Sequence, residues 1–169
     1  KVTFFLNLYH TMIAHAYLVL GPPDSSLKWF GYFNTIAYQV SDDIFSLTEL
    51  EHCVIRANMS YPTQFFSKFV IPKSHYRFAV EKGDLRINFA LNCGSLSNPS
   101  RIFVFEVETL DEQLDAASRL FFEDVETRRQ TGQTVELVLP RICQWYAEDL
   151  GSTRERRLQS IARFLPAKV

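Results

Sequence analysis

The chain lacks most of the features that give a function away quickly. It has three cysteines, Cys53, Cys93 and Cys143, and an odd count without regular spacing excludes a disulfide framework. No C-x-x-C and no paired His/Cys cluster occurs, so no metal site and no cofactor is expected. The net charge is only -1, which removes any global pull towards nucleic acid or an anionic membrane. There is no internal repeat and no low-complexity segment. The apolar opening, Lys1 to Leu20, is interrupted by Asn7, His10, Thr11 and His15 and has no small-residue cleavage site. It is read neither as a signal peptide nor as a membrane span. Free thiols favour a reducing compartment, here the cytoplasm. The chain starts inside a periodic element, without initiator Met or N-cap, so residues 1–169 are expected to be a single domain excised from a longer protein.

What is present suits a soluble globular fold. Of 169 residues, 47% are hydrophobic, 15 are Phe and 22% are charged, enough apolar material for a core. Residues 4–20 predict a helix, with Phe5, Leu8, Tyr9, Met12, Ile13 and Ala16 at i, i+3, i+4 spacing and Gly21-Pro22-Pro23 as its stop. It is apolar on most sides, so a central position is expected. Residues 36–45 predict a hairpin about Ser41-Asp42-Asp43. Ser46 and Glu49 have capping-box spacing for a helix over 46–57, and Thr109 with Glu112 for one running to about Phe122. Residues 58–83 predict a long ordered loop anchored by Phe65, Phe66, Phe69 and Tyr76. Ile87 to Leu91 is helix or strand. Ile102 to Val107 predicts a strand, Arg128 to Thr134 a polar turn, and Val135 to Leu139 a strand. Pro140 suits a helix N1 position, Gly151 the position just past that helix, and 154–165 a last amphipathic helix. The class is α+β, about five helices around a small antiparallel sheet.

Several polar residues sit where chemistry is conceivable, each beside a plainer reading. Glu51 shares the apolar stripe of Leu47, Leu50, Val54 and Ile55, so it must be paired or protonated. It is a site acid, a base or an orienter of histidine; the plainer reading is a structural ion pair, with Arg86 as partner. Asn7, His10 and His15 share one helix face and either line a cleft, with His10 as general base, or are satisfied core groups. Cys93 lies in the Gly/Ser/Asn loop 92–100, a suitable place for a nucleophile given a base to activate it. Its plainer reading, and that of Cys53 and Cys143, is a small packed hydrophobe. His52 reads as surface, and nothing singles out His75. Arg154, Arg156 and Arg157, interleaved with Glu155, read as a solvated helix face.

Five ordered segments resemble one family. They are Phe5-Leu6-Asn7-Leu8-Tyr9; Ser46-Leu47-x-x-Leu50-Glu51-His52-x-x-Ile55-Arg56; Asp84-x-Arg86-Ile87-x-Phe89-Ala90-Leu91-Asn92-Cys93-Gly94; Leu110-Asp111-Glu112-Gln113-Leu114-Asp115; and Trp145-Tyr146-x-x-Asp149. From about Phe4 to Leu150 the chain resembles DUF547, in the style of its eukaryotic branch, where the domain accompanies DEP or glutaredoxin-like domains. The resemblance implies a fold more than a reaction. The family usually has Asn where His10 stands, Pro at Leu85, His at Asn88, and Ser-Cys-Pro where this chain reads Ser97-Asn98-Pro99. A thiol/imidazole site of that kind has thus lost a histidine and a second cysteine.

Two functions from different classes follow. The first is an interaction or degenerate (pseudoenzyme) domain of a larger intracellular protein, with a protein or peptide partner, no nucleic acid and no membrane insertion. The second is a cysteine-dependent hydrolase or transferase. In it Cys93 is nucleophile, His10 or His52 base, and Glu51 or Asn7 orienter. The candidate binding residues are Asn7, His52, Arg86, Asn88, Asn92 and Asn98. Whether the domain is an enzyme stays open between them. A small-ligand pocket within the aromatic 58–83 loop is a third reading.

Overall fold

The computed structural model describes residues 1–63, 71–99, 101–123, 125–129 and 135–167. The chain forms two compact units, one of Lys1–Asp84 with Val104–Val107, the other of Leu85–Phe103 with Glu108–Val169. The class is α+β, with several short helices and two separate antiparallel hairpins among the described residues rather than one sheet.

In the first unit, helix α1 spans Val2–Leu20 and ends at Gly21, whose φ of 76° suits a residue without Cβ. Its buried stripe is Phe5, Leu6, Tyr9, Met12, Ile13 and Ala16. The helix is more one-sided than expected: Thr11, Ala14, His15 and Leu18 to Leu20 face solvent. Helix α2 spans Ser26–Thr35, where no helix was anticipated. The local signals are the Ser25 side chain capping Lys28 N and the Asp24–Lys28 ion pair at i, i+4. Strands β1 (Ala37–Val40) and β2 (Asp43–Ser46) form the expected hairpin, with Val40 opposite Asp43 and Ser41 at φ 56° in the turn.

The Ser46–Glu49 capping box is fully formed around helix α3, Leu47–Glu49. The chain then widens into a π-helical stretch, Leu50–Ile55, closed by the i to i-5 bond from Arg56 N to Glu51 O at 2.8 Å. Leu50, Val54 and Ile55 join Phe45, Leu47 and Val80 in the core. In the loop that follows, Tyr76 meets Phe45 edge-on at 6.0 Å and Phe78 stacks on Phe5 at 5.6 Å. Tyr76 is thus an anchor as expected; Phe65, Phe66 and Phe69 lie outside the described residues.

The second unit is organised by Phe89, fully buried on helix α4, Ile87–Ala90. It stacks on Phe121 at 5.0 Å and meets Phe122 edge-on at 4.8 Å. Phe121 ends helix α5, Leu110–Phe121, whose Leu114, Ala117, Ser118 and Phe121 face inward. Thr109 is its N-cap residue, but its side chain makes no capping bond, contrary to the expected second box. Strands β3 (Glu126–Arg129) and β4 (Val135–Val138) pair, so part of the expected polar turn is strand. The expected helix after Pro140 is two, α6 (Arg141–Trp145) and α7 (Ala147–Leu150), broken at Tyr146, and Pro140 is N-cap rather than N1. Helix α8, Arg154–Ala162, stops short of the expected 165. Ile142, Cys143, Leu150, Ile161 and Phe164 complete this core.

Ile102 to Val107 is not a strand. The backbone of Phe105 finds its partner in a side chain instead: Asn7 Nδ2 donates to Phe105 O, and Phe105 N donates to Asn7 Oδ1, both at 2.8 Å. An amide side chain thereby does what a neighbouring strand would do. Among the described residues no helix is long and apolar enough to cross a membrane.

Candidate functional site

The candidate residues fall into two groups by unit. Asn7, His10, Glu51 and His52 belong to the first, and Arg86, Asn88, Asn92, Cys93 and Asn98 to the second. All four histidines, His10, His15, His52 and His75, precede residue 85, so the unit that carries Cys93 contains none.

In the first unit α1 presents Asn7 and His10 to the returning segment 104–107. Asn7 is committed to Phe105, and His10, 5% exposed, lies with its ring stacked near that of Phe105 at 6.2 Å. Glu51, carried by the π-helical stretch, accepts from Tyr9 hydroxyl at 2.8 Å and lies 3.6 Å from His52 Nε2. His52 is not a surface residue: its side chain is 11% exposed. Burial is the main influence on its ring and holds it below the ordinary imidazole range, against the pull of the Glu51 carboxylate.

A second carboxylate there was legible only as a cap. Glu49 Oε1 accepts from Ser74 at 2.6 Å and Tyr76 at 3.2 Å, while Oε2 accepts from Ser46 N and Oγ. Partial burial opposes its charge, but the hydrogen bonds from Ser46, Ser74 and Tyr76 together outweigh it and hold the carboxyl below its ordinary range. Desolvation, then the nearby Glu49 charge, pushes Tyr76 up to about 12. Burial raises the neighbouring Cys53 thiol, which donates to Pro72 O. This is capping and loop anchoring, performed by groups far apart in sequence.

In the second unit Arg86 ties α4 to α5. It donates to Asp111 Oδ1 at 2.6 Å and Asp115 Oδ1 at 2.7 Å, and Arg163 and Arg119 approach the same Asp115 carboxylate. One nitrogen on each of two carboxylates a turn apart on α5 is the geometry of a structural clamp.

Cys93 is half-buried in a loop with its own hydrogen-bond centre. Asn98 Oδ1 accepts from Cys93 N at 3.1 Å, from the Cys93 thiol at 3.0 Å and from Ser95 N at 3.1 Å. Asn98 Nδ2 reaches back to Leu91 O, Asn92 Oδ1 accepts from Gly94 N, and Asn92 Nδ2 donates to Pro99 O. An amide oxygen can only accept, so the thiol is the donor in this contact. Gly94, at φ 80°, lets the chain turn directly after the thiol.

Asn88 lies five residues before Cys93, buried to 3% exposure on α4. Its Nδ2 donates to Asp149 Oδ2 at 3.0 Å, and its buried Oδ1 has no hydrogen-bond partner among the described residues. Asp149 was not among the candidates; its place in Trp145-Tyr146-x-x-Asp149 was the available signal.

The ordered motifs around Arg86, Cys93 and Glu51 agree with a direct comparison. The profile of the family described as "Protein of unknown function, DUF547" matches residues 1–122. The chain belongs to the DUF547 family. The match covers most of the chain and ends before Trp145-Tyr146-x-x-Asp149. No curated protein and no solved structure matches the chain. Within DUF547 it therefore has its own geometry as its guide to function.

Proposed function

We propose that this DUF547 domain is a degenerate, non-catalytic member of its family that serves as an interaction domain of a larger intracellular protein. One observation carries this reading. Asn88, standing where the resemblance implies histidine, spends its amide on Asp149 Oδ2 at 3.0 Å. A carboxylate beside an imidazole is the arrangement that orients a general base. An amide in that place cannot take up a proton at neutral pH. The Cys93 thiol donates to Asn98, which stands where the resemblance implies a second cysteine. The nucleophile type is retained while the groups that would activate it are amides.

Turnover of ester, thioester and amide substrates by the 169-residue chain and by Cys93→Ser tests this. The expected result is background hydrolysis in both, with no acyl group on Cys93 by mass spectrometry. Turnover that disappears in Cys93→Ser would establish the alternative, a cysteine-dependent hydrolase or transferase with Cys93 as nucleophile.

A further inference from the structure

Two sets of arginines stand apart in the second unit. Arg86, Arg119 and Arg163 surround the Asp115 carboxylate. Arg141, Arg154 and Arg157 make no ion pair among the described residues. These three line the same open groove, about 350 Å³ in volume. Its accessible apolar wall comes from Leu137, Leu139 and Leu158, over the buried Leu150 and Ile161.

The sequence pattern Arg154-Glu155-Arg156-Arg157 reads as a solvated face, but the fold sorts it. Arg154 and Arg157 are three apart, on one side of α8, and both border the groove. Arg156 turns to Ser152 Oγ at 3.3 Å. Arg157 is fixed by Nε donating to Gly151 O at 2.7 Å, which leaves its terminal nitrogens for another acceptor. Glu155 makes no ion pair with the groove arginines among the described residues; its carboxyl is held low first by its own backbone N–H and the Thr153 hydroxyl, with Arg154 adding to this. Leu158, 37% exposed, sits on α8 beside Arg157 and one turn after Arg154.

A groove with apolar walls and three arginines on its rim complements a ligand that is apolar and anionic at once. Its openness decides between two such ligands. An alkyl chain gains by near-complete enclosure, whereas a peptide lying across an open groove keeps one face in water. We infer that this groove docks a short acidic peptide segment of a partner protein, its Leu or Phe side chains against Leu137, Leu139 and Leu158 and its carboxylates on Arg141, Arg154 and Arg157. This deepens the interaction-domain reading and rests on it.

The test uses the 169-residue chain and fluorescein-labelled twelve-residue peptides with three Leu or Phe anchors and four Glu, beside twins with Lys for Glu. Fluorescence anisotropy is expected to show saturable micromolar binding of acidic peptides, weakening with salt, and none of the Lys twins. The double variant Arg154→Glu/Arg157→Glu is expected to lose about tenfold or more, and Leu158→Ser several-fold. Arg154→Gln/Arg157→Gln, with its melting temperature checked, reads the same loss without reversing charge. Equal binding of acidic and basic peptides, no saturation, or an unchanged Kd in the folded Gln variant overturns the proposal. So does decanoate binding while no peptide binds, since that assigns the groove to a small amphiphile. Absent peptide binding leaves an inert Cys93 in place, whereas Cys93-dependent turnover would sink the non-catalytic reading without touching the groove.

Discussion

Asn88 and Asp149 meet side chain to side chain at 3.0 Å, 61 residues apart in sequence, with the amide nitrogen as donor. The contact joins α4 to α7 inside the second unit and sits five residues before the thiol. It makes the polarity at position 88 testable. Asn88→Asp sets two carboxylates about 3 Å apart in a buried site, where they cannot both ionise cheaply. The pair would titrate above the unfolded value, so stability would be lost as pH rises through that range and regained in acid. Urea unfolding at pH 7 is expected to show a loss of about 2–4 kcal/mol, shrinking towards pH 4. A loss of the same size at both pH values would contradict the geometry.

His52 predicts an acid limb of opposite sign. Its folded-state value lies below the ordinary one of about 6.5, so the unfolded chain binds the proton first. Its contribution is complete above about pH 6.5 and is lost as pH falls below it. Thermal melts from pH 8 to pH 5 should decline below 6.5 in the parent chain, and His52→Gln should flatten that decline. Glu49 acts lower: its stabilisation is present above about pH 4.5 and disappears as pH falls further. Glu49→Gln should cost about 1 kcal/mol at pH 7, through the weakened capping box.

Cysteine labelling should rank the three thiols. Burial pushes Cys143 up to about 12 and raises Cys53, and both are buried, so native iodoacetamide labelling of either is expected to be negligible. Cys93, half-buried and hydrogen-bonded to Asn98, should label slowly but faster than the other two. Asn98→Ala removes the acceptor shared by Cys93 N, Cys93 Sγ and Ser95 N, and should speed Cys93 labelling by about tenfold. Peptide mass spectrometry reads each site, and rapid labelling of the parent Cys93 at pH 7 would indicate an activated thiol.

Asn7→Ala removes both of its bonds to a Phe105 backbone that is otherwise buried. The expected cost is about 2–3 kcal/mol in urea unfolding, the desolvation penalty of two backbone groups partly relieved by water. A loss below about 0.5 kcal/mol would show the clasp to be dispensable.

Local signals were legible where neighbours in sequence do the work. The α1 stripe, the Ser46–Glu49 box, the 37–46 hairpin and the Gly21 stop are all short-range, and all are present. Ile102 to Val107 has a strand's composition, yet its backbone pairs with Asn7, which no local pattern encodes. His52 reads as surface on an ideal helix, but a π-helical stretch changes which residues face inward. Asp149 was visible as part of a motif; its bond to Asn88 was not. The arginine run looks uniform in sequence, and only tertiary structure separates Arg156 from the two that border the groove.

The clasp between Asn7 and Phe105 also bears on synthesis. Its partners are 98 residues apart, so the first unit is discontinuous along the chain. At about 5–20 residues per second, the start of α1, with Asn7, is synthesised roughly 5–20 s before Phe105. Through that interval its Asn7 amide must be satisfied by water, and a nascent chain arrested at Asp84 would hold an unfinished first unit. Synthesis therefore delivers the segment that closes this unit after part of the other has already emerged.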